Sequence, residues 1–124
     1  MAAPKQEIPA LYLRIVLDEG IRFGPGKADL LEGIDALGSI AGAGRRMRMS
    51  YKRAWELVGE LNRCFDAPLV DASKGGRGGG GASLTPLGRK MLLSYRTMQA
   101  VSRQATRAEI ALMRRHARRR VVGE

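Results

Sequence analysis

From Arg89 to Val122 the chain contains neither proline nor glycine. No other stretch constrains the fold as strongly, because an unbroken run of this length without helix breakers predicts one long helix. Thr85-Pro86 supplies its start: a threonine hydroxyl accepts a bond from an orphan first-turn amide, and proline fits the first helical position. Beyond Gly88 nothing stops it before Gly123. Leu87, Met91, Tyr95, Met98, Val101, Ala105, Ala108 and Leu112 recur every three or four residues along it, forming one apolar stripe. That stripe covers about seven turns of ~5.4 Å each, on the order of 38 Å. The whole chain has 124 residues, enough for one modest core. A domain that small does not cover such a stripe, so Leu87, Met91, Tyr95, Met98, Val101 and Leu112 are expected to form a seam with a second copy.

Upstream, Leu11, Leu13, Ile15 and Leu17 alternate with Tyr12, Arg14, Val16 and Asp18, which predicts a strand over 11–18. Ile21-Arg22-Phe23 can return beside it. Leu30, Leu31, Ile34 and Leu37 predict an amphipathic helix over 27–37, stopped by Gly38. Ser39 caps a second, short helix with Ile40, Ala43, Gly44 and Met47 inward and Arg45 and Arg46 outward. Ser50 caps a third, with Ala54, Trp55, Val58, Leu61 and Phe65 on its apolar face. A strand at Leu69-Val70-Asp71, a glycine-rich excursion over 74–81 and a return at Ala82-Ser83-Leu84 read as a hairpin. This order predicts a mainly α fold with a small β component: a winged helix-turn-helix domain over 1–85, followed over 86–124 by a long C-terminal dimerisation helix with a basic tail.

Charge narrows the function. The formal net charge is +10, and it is unevenly placed: no acid lies between Asp35 and Glu56, where five bases sit, and none between Asp71 and Glu109, where seven sit. A polyanionic partner is the expectation. The single cysteine, Cys64, excludes an intrachain disulfide, and the single histidine, His116, leaves no His-based metal cluster or Ser-His-Asp arrangement. The chain is therefore not expected to be an enzyme or to carry a cofactor. Neither a secretory signal nor a membrane-length apolar run is visible, which predicts a cytoplasmic protein with no membrane partner.

Ser50, Tyr51, Lys52 and Arg53 place donors at the start of the third helix, where a helix entering the ~12 Å major groove of double-stranded DNA carries them. Lys74 and Arg77 on the glycine-rich wing, and Arg45, Arg46 and Arg48 near the turn, are expected to meet the DNA backbone. Each set has a plainer reading, a solvated basic face or a structural loop. Trp55 shares its face with Val58 and Leu61 and is expected in the core. Gly76, Gly78 and Gly81 match a dinucleotide-binding spacing, but Ser83-Leu84-Thr85-Pro86 separates them from the next helix, so no phosphate cradle is expected there. The run Arg114 to Arg120 reads as a solvated helix end.

Gly38-Ser39-Ile40, Ser50-Tyr51-Lys52-Arg53-Ala54-Trp55, the wing Gly75-Gly76-Arg77-Gly78-Gly79-Gly80-Gly81 and Leu84-Thr85-Pro86-Leu87-Gly88 together resemble the N-terminal DNA-binding domain of the ModE family. These are molybdate-responsive bacterial transcription regulators whose DNA-binding domain is related to that of LysR-type regulators. The resemblance runs from about Leu11 to Val101 and implies a homodimeric, sequence-specific repressor or activator. Arg48 stands where that family usually carries glycine. Nothing in the chain matches the family's C-terminal molybdate-binding domains, so molybdate binding by this chain is not expected. Two other functions remain open: a non-specific nucleoid or RNA-binding protein, against which the low aromatic content of 5% counts, and an interaction module of molybdate homeostasis whose partner supplies the oxyanion site.

Overall fold

The computed structural model describes residues 10–18, 20–73 and 81–118. The described chain is mainly helical with two small antiparallel sheets. Its elements are β1 (Ile15–Leu17), β2 (Ile21–Phe23), α1 (Pro25–Leu37), α2 (Ile40–Arg46), α3 (Tyr51–Cys64), β3 (Val70–Ala72), β4 (Ala82–Leu84), α4 (Pro86–Ala105) and α5 (Arg107–His116). β1 pairs with β2, Val16 opposite Arg22, and β3 pairs with β4, Asp71 opposite Ser83.

One core joins these elements. Leu30, Leu31 and Ile34 of α1, Ala43 of α2, Ala54 and Leu61 of α3 and Leu69 beside β3 are all but inaccessible to water. Close helix contact depends on small residues: at Gly44 an added Cβ would lie 2.9 Å from the Ala54 Cβ, so α2 and α3 approach almost backbone to backbone. At Gly88 a Cβ would run into the Leu69 carbonyl, which lets the first turn of α4 abut β3. Thr85 fastens the same corner: its hydroxyl donates to the Pro68 carbonyl at 2.7 Å and accepts from the Gly88 amide at 3.0 Å. Asn62 of α3 ties down the root of the β3–β4 hairpin, its Oδ1 accepting from the amides of Leu69 and Val70 and its Nδ2 donating to the Val70 carbonyl.

Four sequence expectations are corrected here. The strand predicted over 11–18 is paired only over Ile15–Leu17. Its two-residue alternation persists from Leu11 to Val16, because Leu11, Leu13 and Ile15 lean on the core while Tyr12, Arg14 and Val16 face water. Leu37 is exposed, since Gly38 turns the chain away in the left-handed conformation, φ 68°, directly after it. Trp55 is 41% exposed and not in the core. At about 100° per residue it sits roughly 100° round α3 from Ala54, whereas Leu57, Val58 and Leu61 close on the buried stripe, so Leu57 occupies the place expected for Trp55. Finally, the long helix is interrupted at Thr106, whose hydroxyl donates to the Ser102 carbonyl at 2.7 Å. A threonine hydroxyl competing for a backbone carbonyl is a known local disturbance of helix geometry.

The first half of α4 is part of the core. Tyr95 is 1% exposed, its ring 5.1 Å from that of Phe23, and its hydroxyl donates to the Leu13 carbonyl at 2.6 Å. Leu87 and Met91 are half-buried against the same core. These three residues were expected in a seam between two copies. Tyr95 cannot belong to one, because its side chain is consumed inside its own chain.

Candidate functional site: a basic face on α2 and α3

The electrostatics of the molecule follow from where the acids go. Asp29, Glu32 and Asp35 project from α1 toward α4, where Arg96 pairs with Asp29 at 2.7 Å and Glu32 at 3.1 Å, and Arg89 pairs with Asp35 at 2.7 Å. Lys27 pairs with Glu60 at 3.1 Å. The acidic first third of the sequence is thus neutralised by bases of α4. The bases of α2 and α3 are left over: Arg45, Arg46, Arg48, Lys52 and Arg53 are all exposed, and among the described residues none of them joins an ion pair.

Local structure holds this face in place. Arg45 and Arg46 end α2, where cations complement the helix dipole. The Arg48 amide donates to the Arg45 carbonyl and the Met49 amide to the Gly44 carbonyl, both at 3.0 Å, while Arg48 takes φ 60°. This is a Schellman turn with arginine at the position usually held by glycine. It carries the chain directly into Ser50, whose hydroxyl accepts from the Arg53 amide at 3.0 Å and caps α3. Lys52 and Arg53 therefore stand on the first turn of a capped helix.

Ser50, Tyr51, Lys52 and Arg53 come together with Arg45, Arg46 and Arg48 on this face. Lys74 and Arg77 lie outside the described residues. Met98, Val101 and Leu112 are exposed, at 39%, 61% and 48%, and do not belong to the core that takes Leu87, Met91 and Tyr95. The sequence reading missed Trp55 as a surface residue: it meets Tyr51 edge to face at 6.0 Å between ring centroids, and both line a notch of about 190 Å³ with Ser39, Ser73 and Ala82. The available signal was Leu57, which fits the helical stripe through Val58 and Leu61 better than Trp55 does. It also missed Asn62, because a side chain that serves two strand amides has no local sequence signature.

Among the described residues no group of three or more His, Cys, Asp or Glu side chains is placed to hold a metal ion, and no helix is long and apolar enough to cross a membrane. Tyr95 is the one phenol with a displaced titration: burial pushes it above the usual 10.0.

No protein-family model matches the chain. It is 42% identical over 87 residues to the molybdenum-pterin-binding protein MopB of Rhodobacter capsulatus, covering 69% of this chain and 32% of that protein. It is 42% identical over 84 residues to MopA of the same organism, covering 68% and 32%. To the DNA-binding transcriptional dual regulator ModE of Escherichia coli it is 32% identical over 95 residues, covering 77% and 36%. The chain spans about a third of the length of these relatives. These matches correct what the motif resemblance implied. Relatives of higher identity than ModE are named for binding molybdenum-pterin, so identity with the N-terminal DNA-binding domain of ModE does not follow, nor does sequence-specific repression or activation. Those assignments are withdrawn. The molybdenum relation, which the sequence reading placed behind DNA recognition, carries the function instead.

Proposed function

We propose that this chain is a binding module of molybdenum homeostasis, not an enzyme, acting in the cytoplasm. The single observation that carries the reading is the 42% identity to two molybdenum-pterin-binding proteins. Deleting its coding sequence in the host should alter cellular molybdenum, measured by elemental mass spectrometry across a range of external molybdate. Unchanged molybdenum at every concentration overturns the proposal.

How the module works is part of the same proposal. The succession α1, α2, α3, β3, β4 supports a winged helix-turn-helix arrangement over 1–85, with the helices from Pro86 onward as an extension through which two copies pair. The exposed apolar residues Leu93, Met98, Val101, Leu112 and Met113 support the pairing. A second reading is favoured by the five exposed bases of α2 and α3 that lack an acidic partner: the face takes a polyanion, and double-stranded nucleic acid held without sequence preference is the occupant its shape suits. A random-sequence duplex binding with a steep salt dependence supports this second reading; affinity independent of salt overturns it.

A further inference from the structure

On the far side of α3 from the β3–β4 hairpin, a cleft of about 450 Å³ opens between the segment before β1, the start of α1 and the first half of α3. Its lining includes Arg14, Arg22, Lys27 and Arg53 against a single acid, Glu60. That acid is spent. The Lys27 ammonium, with only 13% of its side chain exposed, donates to Glu60 at 3.1 Å and to the Arg22 carbonyl at 2.6 Å, which leaves one of its three protons without an acceptor. Arg14, Arg22 and Arg53 join no ion pair among the described residues. The cleft therefore holds three uncompensated positive charges.

Its floor is built of donors as well. Gly24, Pro25 and Gly26 line it, and these are the N-cap and first residues of α1. No side chain caps that helix, and no acid stands in its first turn. The Arg14 side chain runs across this end, 3.8 Å from where a Gly24 Cβ would be. Glycine at 24 and 26 lets an occupant reach the backbone without meeting a side chain. Guanidinium groups fork onto two oxygens of one anion, an ammonium adds a point charge, and helix amides supply directed donors.

We infer that this cleft binds one tetrahedral oxyanion, either free in solution, as molybdate or inorganic phosphate, or as a backbone phosphate of a nucleic acid. The inference stands on the cleft and does not depend on the proposed function. Amide NMR of the whole chain, titrated separately with sodium phosphate and sodium molybdate at constant ionic strength, tests it. Saturable shifts centred on Gly24, Gly26 and Lys27 are expected. The double variant Arg14→Ala/Arg22→Ala, at two exposed positions, should weaken binding by about tenfold or more, as expected for loss of charge-assisted bonds. Arg103→Ala, outside the cleft, should leave binding unchanged. A random-sequence duplex then separates the sources: a backbone phosphate shifts the same amides and displaces the free anion, whereas a cleft reserved for free anions keeps its phosphate response with duplex bound. Drift without saturation, or a double variant equal to the native chain, overturns the site.

Discussion

At the scale of single residues, the turn at Arg48 is where sequence and backbone disagree. Its φ of 60° places an L side chain in the left-handed region, which costs roughly 1–2 kcal/mol for residues other than glycine. Arg48→Gly removes that strain but adds freedom to the unfolded chain, so a net gain of up to about 1 kcal/mol is expected. Arg48→Val, branched at Cβ and poorly suited to positive φ, should instead lose at least about 1 kcal/mol. Thermal melts of the two variants check this, and equal melting temperatures overturn it. Tyr95 makes the opposite case, a residue fully matched to its surroundings. Tyr95→Phe leaves the Leu13 carbonyl without its donor and should cost about 1–2 kcal/mol. Because burial raises the folded-state titration of Tyr95 above that of an unfolded tyrosine, the unfolded chain loses its proton first as pH rises. Stability linked to this group is thus complete below about pH 10 and declines above it. The phenylalanine variant, having no proton to lose, should show a flatter alkaline limb in melts followed against pH.

At the scale of elements, local signals were read well and competition between elements was not. Ser39, Ser50 and Thr85 cap helices as their sequence contexts predict, since capping needs only the three residues that follow. The placement of Trp55 and the break at Thr106 depend on what lies across from each helix, which periodicity does not encode. Asn62 illustrates the same limit: residues at 69 and 70 become its partners only once α3 has turned back on β3. Replacing Asn62 by alanine strands the amides of two residues that are themselves buried, Leu69 and Val70. A loss of about 2–3 kcal/mol follows. Loosening should concentrate at β3 and β4 and is measurable by amide hydrogen exchange; a uniform loss of protection over all helices would refute the assigned role. The basic face is also an element-scale property, because neither Lys52 nor Arg53 is special without the turn that presents them. On the reading that this face holds duplex backbone, Lys52→Ala/Arg53→Ala should reduce the slope of log K against log salt by about 2, at 0.9 for each phosphate released. An unaltered slope would remove both residues from the contact.

At the scale of the whole molecule, α4 and α5 present two different surfaces in succession. The first half of α4 gives Leu87, Met91 and Tyr95 to its own core, so the seam legible in the sequence is shorter than its stripe. What remains exposed is Leu93 at 68%, Met98 at 39%, Val101 at 61%, Leu112 at 48% and Met113 at 72%. Scattered apolar residues need no explanation on a surface, but several on one projecting helical arm favour association with a second copy. The proposed pairing is tested by Met98→Glu/Val101→Glu. Both positions are exposed in the single chain, so the substitutions should leave its fold intact, whereas a two-fold pair would bring four carboxylates into a seam that excludes water. Sedimentation equilibrium should give the native chain a mass of twice 13.5 kDa and the variant a mass of 13.5 kDa, with the helical circular dichroism of both alike. A native chain that sediments as a monomer, or a variant that remains paired, places the contact elsewhere than α4 and α5.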